Sequence, residues 1–278
     1  MERLWSSTFV HLTQLQELHL GDNLIEDIEP SAFKGLNTLD NLQLGGNKIK
    51  VILPNTFVDL IKLKELDLTG NLLEDIDSNA FQGLDNLKHL YLNYNKLKTV
   101  PSKALEKTDK LTILELKKNN IDKLEKDTFA QLKSLLTLNL SNNKIHELPA
   151  EVFFSNNLIF RLYLTSNRIA SIPENLFSDK NQLNTLDLKN NKISDIEYNR
   201  VKDLRELTSI DLGYNELKTF NANAFANSLG MWRIKLENNY ISNLSLSDFK
   251  QFVYLYSVDL TDNPLPPETV KEFEKNYL

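Results

Sequence analysis

Apolar and polar residues follow one phrase along this chain, L-x-x-L-x-L-x-x-N, and the phrase returns every 24 residues. It closes on Asn23, Asn47, Asn71, Asn95, Asn119, Asn143, Asn167, Asn191, Asn215, Asn239 and Asn263. With Leu15 as position 1, ten full repeats run to Tyr254 without insertion or deletion. Position 6 is Leu in all eleven cases from Leu20 to Leu260. Position 4 is Leu until Ile210, Ile234 and Val258 replace it. Position 11 is Leu or Ile and position 14 is apolar from Ile28 to Leu244. Position 19 is Phe in eight of ten repeats, Leu105 and Val201 being the exceptions. Alternation at positions 4 and 6 predicts a short strand whose leucines point inward, with positions 3 and 5 outward.

The remainder of each repeat must turn and come back. Five of the eight glycines (Gly21, Gly45, Gly46, Gly70, Gly213) fall at positions 7 and 8, where the strand is left. Pro30, Pro54, Pro101, Pro149 and Pro173 follow position 14, on the return path where no ladder donor is needed. Asn at position 9 suits an interior turn because its amide both donates and accepts, whereas Asp would bury a charge without a donor. A single repeat cannot stand alone: fixing each residue's backbone costs about 1–2 kcal/mol, and each buried apolar side chain returns only about 1.5–3 kcal/mol. Neighbouring repeats must supply the difference by stacking. At a strand spacing of about 4.8 Å, eleven strands make a parallel face roughly 50 Å long.

The pattern L-x-x-L-x-L-x-x-N-x-I/L-x-x-I/L-x-x-x-x-F-x-x-L, as it stands from Leu15 to Leu36, resembles the typical 24-residue class of leucine-rich repeats. The resemblance extends from Leu4 to Leu265. It implies an α/β right-handed solenoid, a horseshoe with a concave parallel β-sheet of about eleven short strands and a mostly irregular convex side. It also implies a non-enzymatic binding module of the kind found in Toll-like receptor ectodomains, Slit, chaoptin-like adhesion proteins and the acid-labile subunit.

On this register, residues 1–278 form a single leucine-rich repeat domain. Residues 1–14 are a partial repeat, 15–254 the ten full repeats, 255–265 a truncated last repeat, and 266–278 a capping helix carrying Val270, Phe273 and Tyr277 at helical spacing. Met1 falls at position 11 of an earlier unit, so a further N-terminal portion is expected upstream. The absence of a signal-peptide core at Met1–Ser7 then says little about location. A net charge of −6 and a pI near 5.4 give no basic footprint, which argues against nucleic acid. No apolar run is long enough to insert in a membrane. Cysteine is absent, unlike in the disulfide-bearing caps of extracellular members of the resembled family. Two N-x-S/T sequons, at Asn139 and Asn243, are candidate glycosylation sites.

Function is expected on the outward positions. The first repeats are acidic there (Glu17, Asp22, Asp40, Glu65, Asp67). A middle zone of His89, Tyr91, Tyr94, Ile113, Glu115, Arg161 and Tyr163 has the composition of a protein-binding hot spot. Asp187 and Asp211 sit on adjacent strands and would repel, so Lys189, Arg233 and Lys235 are expected to neutralise them, a cation being the alternative. Trp232 and Tyr256, at position 2, are expected to pack under the terminal segment. Thr108, Asn156, Lys180 and Ser228 replace the usual Leu at position 22, which is expected to lie near the surface; a lateral homodimer contact is the alternative.

Catalysis finds no motif: there is no cysteine nucleophile, no H-E-x-x-H and no phosphate-binding glycine loop. His19 and His89 face outward three strands apart, about 14 Å, too far to share a metal. No metal or cofactor is expected. The sequence therefore reads as a protein-recognition module of an extracellular or cell-surface protein in adhesion, innate immunity or receptor scaffolding. A cytoplasmic leucine-rich repeat scaffold is the alternative.

Overall fold

The computed structural model describes residues 2–180 and 182–277. Met1 and Leu278, assigned above to the partial repeat and the capping helix, lie outside the described residues. The chain divides into two compact units, Met1–Asp122 with Thr128–Asn139 and Lys123–Asp127 with Leu140–Leu278.

In the first unit, six three-residue strands lie parallel in chain order: Glu17–His19, Asn41–Gln43, Glu65–Asp67, His89–Tyr91, Ile113–Glu115 and Thr137–Asn139. Their register is the 24-residue repeat itself, Leu18 pairing Leu42, then Leu66, Leu90, Leu114 and Leu138. A two-residue strand, Arg3–Leu4, pairs with Asp27–Ile28 on the return path. Position 19 builds a second column. Phe9, Phe33, Phe57 and Phe81 stack with centroids 6.1, 5.7 and 6.4 Å apart.

The second unit repeats the scheme with Arg161–Tyr163, Thr185–Asp187, Ser209–Asp211, Arg233–Lys235 and Ser257–Asp259, joined Leu162 to Leu186 to Ile210 to Ile234 to Val258. Its return segments are mostly turns, with one short α-helix at Tyr198–Val201 and 3-10 turns at Ala222–Phe225 and Leu246–Phe249. An α-helix, Pro267–Tyr277, follows the last strand and buries Phe273 edge-on against Phe249, 5.1 Å between centroids. Each unit is a leucine-rich repeat solenoid.

The asparagines do what their chemistry predicts. Asn47 Nδ2 donates to Leu44 O of its own repeat and Leu20 O of the preceding one, both at 2.9 Å, while its Oδ1 accepts from Ile25 N at 3.0 Å. Asn71 repeats the set one turn on, so Leu44 O accepts from two amides and fills both lone pairs. In the second unit Asn191 and Asn215 share Leu188 O in the same way. Buried turn groups that would otherwise lose water are thereby satisfied by one side-chain type.

Position 8 was less legible. In all eleven repeats it adopts a left-handed backbone, φ between 52° and 68°, although only Gly46 and Gly70 are glycine there. Tyr94 (φ 55°) and Tyr214 (φ 57°) are the bulkiest, and each pays about 1–2 kcal/mol for that conformation. The compensation is a ladder bond: Tyr94 N donates to Lys117 O and Tyr214 N to Glu237 O, both at 2.8 Å, so sheet-type pairing continues through the turn.

Position 22 corrects the expectation of a surface site. Thr108, Asn156, Lys180 and Ser228 are buried, at 0, 0, 3 and 1% exposure. Thr108 Oγ1 donates to Leu105 O at 2.9 Å, Ser228 Oγ to Leu204 O at 2.6 Å, and Lys180 Nζ to Asn157 Oδ1 and Ser178 O at 2.8 and 3.2 Å. Local acceptors make burial tolerable, and burial pulls the Lys180 pKa below the ordinary lysine value against the opposing pull of Asp179.

Candidate functional site

The outward residues of the proposed middle zone fall into both units. His89, Tyr91, Tyr94, Ile113 and Glu115 belong to the first, and Arg161 and Tyr163 to the second.

In the first unit, alternation puts His89, Tyr91, Ile113 and Glu115 half-buried on the outer face of adjacent strands. Tyr91 stands in register between Asp67 and Glu115. Burial pushes its hydroxyl pKa up, and Glu65, Glu115 and Asp67 push it further. His89 Nδ1 lies 3.2 Å from Glu65 Oε2 and its ring meets Tyr91 edge-on at 6.5 Å. Glu65 Oε1 accepts from Asn41 Nδ2 and Gln43 Nε2 at 3.3 and 3.1 Å. Burial raises the Glu115 pKa, while hydrogen bonds from Asn139 and Asn93 and the charge of Lys117 lower it. Tyr94 is 48% exposed with Lys118 Nζ 4.7 Å from its ring centroid. The arrangement is an aromatic surface in a negative field, with side chains held by neighbours 24 residues away.

In the second unit, Arg161 is exposed with its guanidinium 5.1 Å over the Phe160 ring, and Tyr163 pairs in register with Asp187. Asp187 and Asp211 are neighbours as expected, but each turns one oxygen onto its own strand end: Asp187 Oδ1 accepts from Lys189 N and Asp211 Oδ1 from Gly213 N, both at 3.0 Å. Lys235 Nζ neutralises Asp211 at 3.3 Å. Lys189 departs from expectation. Its ammonium passes over Gly213 to Glu237 Oε1, 2.7 Å away and 48 residues on, and lies 4.8 Å from the Tyr214 ring. That hydrogen bond raises the Lys189 pKa. Arg233 is directed to Trp232, 6.0 Å from its ring, instead of to the carboxylates.

Trp232 and Tyr256 also correct an expectation. They stack on each other at 5.3 Å and 9°, and Tyr256 is 65% exposed, so the terminal segment does not cover it. Glu237 and Tyr214 were missed altogether. Both carried a signal: Tyr214 repeats Tyr94 at position 8, and Glu237 shares position 7 with Lys189. The two sequons differ, for Asn139 is half-buried with its amide donating to Glu115 Oε2 at 2.8 Å, whereas Asn243 is exposed. No helix among the described residues is long and apolar enough to cross a membrane.

No curated protein matches this chain. Among solved structures, a chain of the octameric complex of Latrophilin 3, Unc5D and FLRT2 (leucine-rich repeat) superposes with TM-score 0.83 at 22% identity, covering 97% of this chain and 84% of that one. The Drosophila Toll–Spatzle complex gives 0.78 at 21%, covering 93% of this chain and 38% of that one. An internalin from Listeria monocytogenes gives 0.73 at 23%, covering 93% and 77%. The leucine rich repeat family pattern matches residues 13–73, 61–121, 109–169, 159–217 and 181–241. The chain belongs to the leucine-rich repeat family.

Proposed function

We propose that this chain is a non-enzymatic protein-recognition module that binds a protein ligand on the outer sheet face of its first unit. The observation that carries the reading is Tyr91 and Tyr94: one aromatic is framed by carboxylates, and the other is 48% exposed in the same unit. His89, Ile113 and Glu115 complete the surface, and Arg161 and Tyr163 form a separate candidate contact in the second unit. Asp211 is neutralised there by Lys235, and Asp187 caps its own strand end.

Structural relatives in complexes named for Latrophilin 3 and Unc5D or for Spatzle support an extracellular or cell-surface setting in adhesion or innate immunity. One relative is solved with a single-stranded RNA, but the acidic face here disfavours that ligand class. The cytoplasmic alternative draws on composition, since a fold without cysteine is indifferent to a reducing compartment. A glycan on the exposed Asn243 of natively expressed protein, read by mass spectrometry, supports secretion; stable retention of the protein in the cytosol overturns it.

The test of the face is a photo-crosslinking residue at Ile113 to capture and identify the ligand, followed by affinity measurement. Tyr91→Ala with Tyr94→Ala is expected to weaken binding by more than about 1 kcal/mol with the melting temperature preserved. Unchanged affinity moves the site off this face.

A further inference from the structure

Both units use one device at positions 5 to 8: a glycine leaves room for a carboxylate from a neighbouring repeat. In the second unit the Glu237 carboxylate lies where a Cβ on Gly213 would stand, and the Lys189 ammonium closes on it at 2.7 Å. In the first unit the Asp22 carboxylate lies over Gly46 and that of Asp67 against Gly45. Neither enters an ion pair among the described residues. Asp67 Oδ1 accepts from Thr69 N at 2.8 Å, and its Oδ2 lies against Gly45.

Around these two acids runs a groove of about 720 Å³, floored by Gly21, Gly45, Gly46 and Gly70 and bordered by His19 and Gln43. Asp22 N, Gly46 N and Gly70 N bond carbonyls of the next repeat at 2.8 Å. An anion in the groove would meet the negative charge of both carboxylates. A metal ion is equally ill-served, because no group of three or more His, Cys, Asp or Glu side chains among the described residues is placed to hold one. The nearby Lys64 ammonium is directed to Asp40 at 2.9 Å.

We infer that the groove receives a lysine- or arginine-bearing extended segment of the protein partner, which supplies from outside the cation that Lys189 supplies internally in the second unit. This rests on the proposed recognition role and names the chemistry of the ligand. Arginine fits best, since its planar fork can address two carboxylates at once, and a floor without side chains lets the partner's backbone come close. The Tyr94 ring, already bearing Lys118 Nζ at 4.7 Å, shows that this side of the unit accommodates cations on aromatics.

The experiment uses the whole chain and two acetylated octapeptides, (Gly-Arg)₄ and (Gly-Glu)₄, titrated in 50 mM sodium chloride with binding read by calorimetry. The arginine peptide is expected to bind and the glutamate peptide not. Asp22→Asn with Asp67→Asn, which keeps the Asp67 oxygen that caps Thr69, should weaken the arginine peptide about tenfold. Glu106→Gln with Asp109→Asn, removing the same charge from exposed return positions, should change it less than twofold. Equal loss in both double variants would mean diffuse attraction to net charge and overturns the inference, as does absence of arginine-peptide binding. Ligand capture at Ile113 that depends on Tyr91 and Tyr94 but ignores Asp22 and Asp67 defeats this inference alone. Capture that ignores the tyrosines defeats the recognition face itself.

Discussion

The two units share a frame and differ in how their charges are used. On the outer face of the second, Lys189 meets Glu237 and Lys235 meets Asp211, while Asp187 caps its own strand end. In the first, Lys64 meets Asp40 and Glu65 lies against His89 while accepting from Asn41 and Gln43, whereas Asp22 and Asp67 form no ion pair among the described residues, and two tyrosines stand among the acids. Identical backbone geometry thus carries one carboxylate over a glycine that a lysine of the same unit closes, Glu237, and two that no lysine or arginine among the described residues meets, Asp22 and Asp67. The repeat decides where side chains point; the partner 24 or 48 residues away decides whether they are free.

The frame itself should break equally in both units, and with the largest effect. Asn71→Ala and Asn191→Ala each orphan a buried N–H, of Ile49 and Ile169 respectively, and strip one of two donors from each of two carbonyls. A loss of about 2–4 kcal/mol is expected in urea unfolding, and a large disparity between the two would mean the frames are not equivalent. Next comes the glycine pair. Gly70→Ala meets only ordinary contacts and should cost about 1–2 kcal/mol for its φ of +66°. Gly213→Ala displaces the end of the flexible Glu237 side chain and weakens its pairing with the partly exposed Lys189, a cost of about 0.2–1 kcal/mol. No loss at all on Gly213→Ala would sink the account of that pairing.

Two smaller effects depend on pH. The Lys189 pKa is raised in the folded state, chiefly by its hydrogen bond to Glu237. Its contribution is therefore full below the unfolded lysine value and is lost as pH rises through the folded one. Wild type and Lys189→Met should accordingly converge in stability under alkaline conditions, as followed by thermal melts across that range. Glu115 has the opposite sense: burial raises its pKa, so its charged form opposes folding above the unfolded carboxylate value. Glu115→Gln, which can still accept from Asn139, should raise the melting temperature slightly at pH 7 and not at pH 3. A destabilised variant at pH 7 would show that the carboxylate has a stabilising partner.

Most of the frame was legible because it depends on identity at fixed spacing. The inward leucines, the asparagine ladder, the phenylalanine column and the terminal helix all follow from period 24 and side-chain chemistry. What escaped depended on contacts that periodicity does not encode. Position 22 read as surface because its residues are polar, yet Ser228 and Thr108 each find a backbone carbonyl inside. Trp232 and Tyr256 read as covered because they are large, yet they cover each other. Glu237 escaped because its partner lies two repeats back, although both stand at position 7. Of the candidate residues, His89, Tyr91, Ile113 and Glu115 do share adjacent strands, while Asp187 and Asp211 turned out to be caps of their own strand ends.

The contrast between the units is tested most directly by placing the same photo-crosslinking residue at Ile113 in one protein and at Ser209 in another, each on the outer face of a strand. Adducts with one defined protein are predicted from Ile113, lost on Tyr91→Ala with Tyr94→Ala, and absent from Ser209. Adducts from Ser209 alone, or from Ile113 without regard to the tyrosines, would contradict the assignment of recognition to the first unit.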